Sequence, residues 1–177
     1  MAIAAKLAEI QLLVCDVDGV LTDGKLDYGA DGEGERKAFH VRDGLGLRNL
    51  MAAGIEIAWI TARGGGAVER RASELGIKHL VQKSGNKAAV LAELAAKLGI
   101  AMPRIAYVGD DLVDLDAMRA AGIAIAPADA HAEIRAIASW VTSIGGGRGA
   151  VREICDAILL ARAPANTEVE FKIVIPS

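Results

Sequence analysis

Two aspartates, Asp16 and Asp18, close the apolar run in "LLVCDVDGVLTDG" (residues 12–24). Carboxylates this close together at the mouth of a buried strand repel each other and are costly to desolvate. A cation, or a reaction that uses them, must offset that cost. Further along, Thr61, Lys87, Asp110, Asp111 and Asp114 each follow an apolar run or open a helical one. Several aspartate oxygens together select a hard cation such as Mg²⁺. Mg²⁺ keeps part of its water shell and binds phosphate oxygens, so the set points to phosphoryl chemistry. One carboxylate can attack phosphorus and form an aspartyl phosphate. A second, two positions on, can protonate the leaving oxygen and then activate water. The hydroxyl of Thr61 and the ammonium of Lys87 suit the oxygens of the group in transfer.

These residues need elements that bring them to one place. Strand-like runs at 12–17, 55–60, 79–81, 104–109, 123–126 and 140–142 alternate with helical patterns at 44–54, 66–76, 86–99, 112–122, 129–138 and 149–161. Strand–helix alternation with short connections predicts an α/β fold, a doubly wound parallel sheet covered on both faces. In such a sheet ligands lie beyond the carboxyl ends of the strands, where Asp16, Thr61 and Asp110 fall. One stretch breaks the rhythm. "GKLDYGADGEGERKAFHVRDG" (24–44) reads as an inserted β-hairpin over about 24–42. No linker or repeat is visible, so residues 1–177 are expected to form one domain. The tail from about 162 to 177 alternates Val169, Phe171, Ile173 and Ile175; it suits a strand and equally a disordered end.

Composition narrows the class. Apolar residues make up 53% of the 177 and aromatics only 3%, so the core must be aliphatic. The net charge of −3 is spread along the chain, without the basic stripe of a nucleic-acid binder. No apolar run is long enough to span a membrane, and the N-terminus lacks the order of a signal peptide. Cys15 and Cys155 stand alone in a strand and a helix, as expected of buried thiols in a reducing cytoplasm.

Four strings in order, DVDGVLTD, ITAR, SGNK and GDDLVD, resemble the motifs of the haloacid dehalogenase-like phosphatase superfamily. The resemblance implies Asp16 as nucleophile and Asp18 as general acid/base. Mg²⁺ would be held by Asp16, the Asp18 backbone carbonyl and Asp110, with Thr61 and Lys87 orienting the phosphoryl group. The hairpin, one helix and one strand fill the chain between Asp18 and Thr61, leaving no room for a cap domain. The longer strings "GERKAFHVRDGLGLR", "YVGDDLVD" and "IGGGRGAVREICD" are similar to the 3-deoxy-D-manno-octulosonate 8-phosphate phosphatases, a capless family of that superfamily. That likeness, over about residues 12–161, implies a sugar-acid phosphate as substrate, on the way to lipopolysaccharide. It also implies a homotetramer built through the hairpins, each site closed by a neighbour. Carried over position by position, the substrate contacts would be Asp18, His40, Val41, Arg42, Asp43, Gly44, Arg48, Arg63, Arg71 and Lys87. Arginines at 48, 63 and 71 suit a ligand carrying both phosphate and carboxylate.

Three further expectations can be checked against a structure. Glycines in "GGGRG" (145–149) are expected to flex an arm carrying Arg148 toward a site. "GGG" at 64–66 is expected to loosen the first turn of the next helix, departing from the longer residues of the family. Asp114 reads either as site support or as solvated helix face. Three rival functions stay open: a phosphatase for nine-carbon acid phosphates, a tetramerising module with little activity, and a receiver domain phosphorylated without turnover.

Overall fold

Leu12–Cys15, the apolar tetrad LLVC, forms β1 and is buried on both faces. In the computed structural model, which describes residues 3–29 and 34–163, this strand lies inside a six-stranded parallel sheet. Before it runs α1 (Ile3–Ala8). After it come the short strands β2 (Asp27–Tyr28) and β3 (Glu35–Arg36), then α2 (Val41–Ala52), β4 (Glu56–Ile60), α3 (Gly66–Leu75) and β5 (His79–Val81). The second half is α4 (Lys87–Leu98), β6 (Ile105–Val108), α5 (Leu115–Ala120), β7 (Ile123–Ala126), α6 (Ala132–Ile137), β8 (Trp140–Val141) and α7 (Ala150–Arg162). Single 3₁₀ turns, Met102–Arg104 and Leu112–Asp114, lead into β6 and α5.

The strand order is β5-β4-β1-β6-β7-β8. The chain winds outward from β1 to β4 and β5, then crosses back to β6 and winds the other way. The carboxyl ends of β1, β4 and β6 therefore flank the reversal point, where a crevice opens. Successive side chains of β1 point to opposite faces and seed two cores. Leu13 and Cys15 pack with α1, α2, α3 and α7 through Leu7, Leu47, Val68 and Ile154. Leu12 and Val14 pack with α4, α5 and α6 through Leu91, Met118 and Ile134. Among the described residues no cap domain interrupts the fold, and what is inserted between β1 and α2 is the antiparallel β2–β3 hairpin.

Several boundaries differ from the expected ones. The first strand stops at Cys15, although Asp16 N–H still donates to the Val108 carbonyl at 2.9 Å. Helix α2 starts at Val41 rather than 44, with His40 as its N-cap, so the end of the expected hairpin, residues 41–42, belongs to the helix's first turn. Gly44 misleads there: it is helical, and a Cβ on it would collide with the Arg71 guanidinium. The stretch 112–122 divides into the 3₁₀ turn and a shorter α5. The tail read as either strand or disordered end lies outside the described residues from 164 onward.

Candidate active site

Asp16 follows the last residue of β1, and Lys87 is the first residue of α4, capped by Asn86, whose side chain accepts from Ala89 N–H at 3.0 Å. Lys87 Nζ lies 2.9 Å from Asp16 Oδ1 and 2.7 Å from Asp114 Oδ1. Burial works against the Lys87 charge, but the two carboxylates outweigh it and hold the ammonium above its ordinary pKa. Asp114 is fully buried, which decides between the two readings of this residue in favour of site support. Its Oδ1 also accepts from Tyr107 Oη at 2.9 Å, and its Oδ2 from Asp110 N–H at 3.2 Å and Asp111 N–H at 3.4 Å. Asp111 caps the 3₁₀ turn through Leu112 N–H at 2.7 Å.

With Asp114 engaged in this way, the oxygens left for a cation belong to Asp16 and Asp110. Asp110 Oδ1 is buried and accepts no hydrogen bond. Oxygens of Asp16, Asp110 and Asp114 all lie within 4.8 Å of one another. Three carboxylates then share one ammonium. Burial first, and the Asp114 charge second, push Asp16 up to about 7 against the pull of Lys87. Burial and the Asp16 and Asp114 charges push Asp110 up to about 8. A bound divalent cation would relieve both, so the donor set fits a hard metal ion. Gly19 makes the approach of Asp110 possible: its φ of +86° is left-handed, and a Cβ there would occupy the Asp110 carboxylate.

Thr61 follows β4. Its N–H donates to Val81 at 2.9 Å, and its carbonyl accepts from Ser84 N–H at 3.1 Å. Its hydroxyl accepts from Arg63 N–H at 3.1 Å. Asp16, Asp18, Thr61, Arg63, Lys87 and Asp110 all line one cleft of about 240 Å³ at the carboxyl edge of the sheet. Three strand ends and one helix start supply these residues.

Other candidates lie elsewhere on this chain. Asp43 is buried, and its Oδ1 accepts from Arg152 N–H at 2.8 Å, capping α7 from α2. His40, Asp43 and Gly44 line a small cavity with Phe39, Trp59 and Arg71, apart from the catalytic cleft. Val41, Arg42 and Arg48 are exposed on α2. Arg71 lines a second cleft between the hairpin and α3, with Arg70 and Glu74 beside it. Arg148 is exposed near Asp23, whose carboxyl it helps to hold below its ordinary pKa after the hydrogen bonds from Lys25.

The glycine arm is not free to flex. A Cβ on Gly146 would strike the Gly19 carbonyl, Gly147 N–H donates to Val20 at 2.9 Å, and Gly146 N–H donates to Asp129 at 2.9 Å. These glycines let residues 145–147 lie flat on the loop that carries Asp18. The turn at 64–66 is not loose either. Gly65 N–H donates to Gln82 Oε1 at 2.7 Å, and Gln82 Nε2 donates to Glu69 at 2.8 Å, so the start of α3 is held from outside.

Two residues at the site went unread in the sequence. Tyr107 resembles any apolar residue of a buried strand; its place just before "GDD" was the available signal. Lys37 sits in a charged hairpin, and only the fold brings its Nζ onto Asp18.

A haloacid dehalogenase-like hydrolase family profile matches residues 65–149, the part that holds Lys87, Asp110 and Asp114. The 3-deoxy-D-manno-octulosonate 8-phosphate phosphatase of Escherichia coli (strain K12) is 50% identical over 160 residues, covering 90% of this chain and 85% of that protein. The chain belongs to the 3-deoxy-D-manno-octulosonate 8-phosphate phosphatase family. A solved member of this phosphatase family from Moraxella catarrhalis, in complex with a magnesium ion, a phosphate ion and KDO, is 46% identical. It superposes with a TM-score of 0.88, over 90% of this chain and 91% of that one. A cobalt-bound member from Haemophilus influenzae is 43% identical, with a TM-score of 0.85 over 89% and 91%. Similarity to the phosphatase family thus runs over most of both chains, and the six-stranded parallel sheet without a cap is the fold they share.

Proposed function

We propose that this protein hydrolyses 3-deoxy-D-manno-octulosonate 8-phosphate to the free sugar acid and phosphate, with Mg²⁺ as cofactor, in the supply of lipopolysaccharide precursors. The observation that carries the reading is the meeting of Asp16, Asp18, Thr61, Lys87 and Asp110 in one cleft. Asp16, Asp110 and the Asp18 carbonyl would hold the cation, which would supply positive charge for the phosphate oxygens and for the crowded carboxylates.

An Asp16 carboxylate oxygen attacks phosphorus as the bond to the sugar oxygen breaks. Asp18 gives its proton to that departing oxygen, and the sugar acid leaves as an alcohol. A water molecule then gives a proton to Asp18 and its oxygen to phosphorus, breaking the Asp16–phosphorus bond. Phosphate departs and both aspartates return to their starting states. Thr61 and Lys87 hold the phosphoryl oxygens through both displacements, with Lys87 fixed in place by Asp114. Arg63 lies at the cleft mouth, where the body of the substrate emerges.

The protein works in the cytoplasm as a homotetramer. Leu26 and Tyr28 of the hairpin segment and Val41 at the start of α2 are large apolar residues left exposed on one chain, and another copy covers them. Val41, Arg42, Arg48 and the face around His40 then serve a neighbour's cleft rather than their own.

The test is phosphate release from the eight-carbon acid phosphate, a nine-carbon acid phosphate and p-nitrophenyl phosphate, with Mg²⁺ and with excess EDTA. The reading expects the highest kcat/KM on the eight-carbon substrate and none with EDTA. Preference for the nine-carbon acid would move the substrate while keeping the reaction. A folded protein without turnover on any of them would leave a tetramerising module.

A further inference from the structure

Lys37 has no part in the reaction as derived above, yet it is one of the most enclosed charges on the hairpin. Its side chain is only 2% exposed, in a segment whose strands β2 and β3 are two residues each and mostly exposed. Its Nζ donates to Asp18 Oδ1 and lies 2.8 Å from Glu35 Oε1. Glu35 Oε2 accepts from Arg63 Nη2 at 2.6 Å, and Arg63 Nε stands 3.9 Å from Asp18 Oδ2. The four side chains close a ring of two carboxylates and two cations, with Asp18 facing one cation from each of its oxygens. Only Lys37 of the four is enclosed, whereas the Arg63 side chain is 43% exposed, and ion pairs that reach solvent add little to stability. What a ring of this kind can do is fix geometry.

What the ring fixes follows from its place. Asp18 and Arg63 line the catalytic cleft, whereas Glu35 and Lys37 line the neighbouring cleft between hairpin and α3. The ring is the wall between the two, and it is also where the hairpin meets the sheet edge. On the chain side the hairpin is pinned by Phe39, stacked on Trp59 with centroids 6.1 Å apart and planes 11° from parallel. A short, mostly exposed hairpin is thus held at both its core end and its catalytic end.

We infer that Lys37 is a positioning residue, which aims the Asp18 carboxyl at the leaving oxygen and makes correct placement of the hairpin a condition of that aim. The inference rests on the proposed role of Asp18 as acid and base. Lys37 itself touches no reacting atom. Loss of its ammonium frees the Asp18 side chain to turn and leaves Glu35 with Arg63 alone.

The test compares two leaving groups. An alkyl ester needs its departing oxygen protonated; p-nitrophenolate leaves without help. The parameter is kcat/KM, which covers steps up to cleavage of the ester bond and excludes hydrolysis of the phosphoenzyme. Lys37→Met is expected to lower kcat/KM on the sugar-acid phosphate and on a simple alkyl phosphate by at least about 10-fold, within the range a positioned acid supplies. On p-nitrophenyl phosphate the loss is expected to stay under about 3-fold, with the Mg²⁺ concentration for half activity unchanged. Lys37→Arg, which keeps a donor, should recover part of the alkyl rate. Equal losses on alkyl and aryl esters, or none on either, would overturn the assignment. If Lys37→Met does not fold, by thermal melting, Glu35→Gln makes the same comparison, since it opens the ring at the next link. A wild type active on alkyl and aryl phosphates but not on the sugar acid would sink the proposed substrate while leaving the Lys37 comparison intact. A wild type inactive on all three would remove the role of Asp18 and this inference with it.

Discussion

At the scale of single residues, the account turns on charge balance around Lys87. That ammonium stands between Asp16 and Asp114 with almost no solvent access. Lys87→Met strands two buried carboxylates, and the cost expected in urea unfolding is about 3–5 kcal/mol, with turnover lost as well. Tyr107→Phe removes one of four hydrogen bonds that converge on Asp114. Its expected cost is smaller, about 1–3 kcal/mol, and activity should fall only in part. The metal-free protein should also show a particular pH dependence. Asp16 and Asp110 have folded-state pKa values near 7 and 8 against an ordinary 3.8. The folded state therefore holds protons that the unfolded chain gives up. This contribution to stability is complete below the ordinary value and is lost as pH rises through 7 to 8. Melting temperatures in EDTA should fall from pH ~5.5 to ~8.5, and the gain on adding Mg²⁺ should widen over the same interval. A gain independent of pH would mean that the cation does not sit on these two carboxylates. Asp16, Asp18, Thr61, Lys87 and Asp110 could be picked out in the sequence because each ends a strand or starts a helix. Tyr107 and Lys37 could not, because one matches its apolar strand and the other matches its charged neighbours.

At the scale of elements, sheet and helices were legible from apolar runs and glycine stops, while the joins between them were not. The start of α2 shows why. Sequence periodicity carries no sign that Asp43 reaches across to Arg152 N–H, yet that bond ties the first turn of α2 to the first turn of α7. Asp43→Ala should cost about 1–2 kcal/mol as a lost cap, seen in thermal melting, with KM for p-nitrophenyl phosphate unchanged because Asp43 lies outside the cleft. Glycines misled for a related reason. In "GGGRG" they read as freedom, whereas the fold uses them for close approach of one loop to another. Gly146→Ala would push residues 145–147 off the Gly19 carbonyl. It should impair turnover by displacing the loop that carries Asp18, although residue 146 lines no part of the cleft.

At the scale of the molecule, one chain brings together the residues for phosphoryl transfer but leaves Arg42 and Arg48 facing outward, away from its own cleft. Assembly would turn them to use. Sedimentation should give the mass of four chains, and Leu26→Asp with Tyr28→Asp should give smaller species. Those smaller species should lose turnover of the sugar-acid phosphate more than turnover of p-nitrophenyl phosphate, since in the proposed assembly only the larger substrate would reach a neighbour. Neither the hairpin's exposed apolar residues nor the outward arginines could be assigned from sequence pattern alone, because a run of residues does not reveal which side chains the fold leaves uncovered. The central claim, covalent transfer to Asp16, is tested most directly by acid-quenching the enzyme during turnover with Mg²⁺ and weighing the peptide that carries Asp16. The account predicts the added mass of one phosphoryl group on that peptide, absent with EDTA and absent in Asp16→Asn, which should also be inactive. Phosphate release that continues in Asp16→Asn, or a phosphoryl group found on another residue, would contradict it.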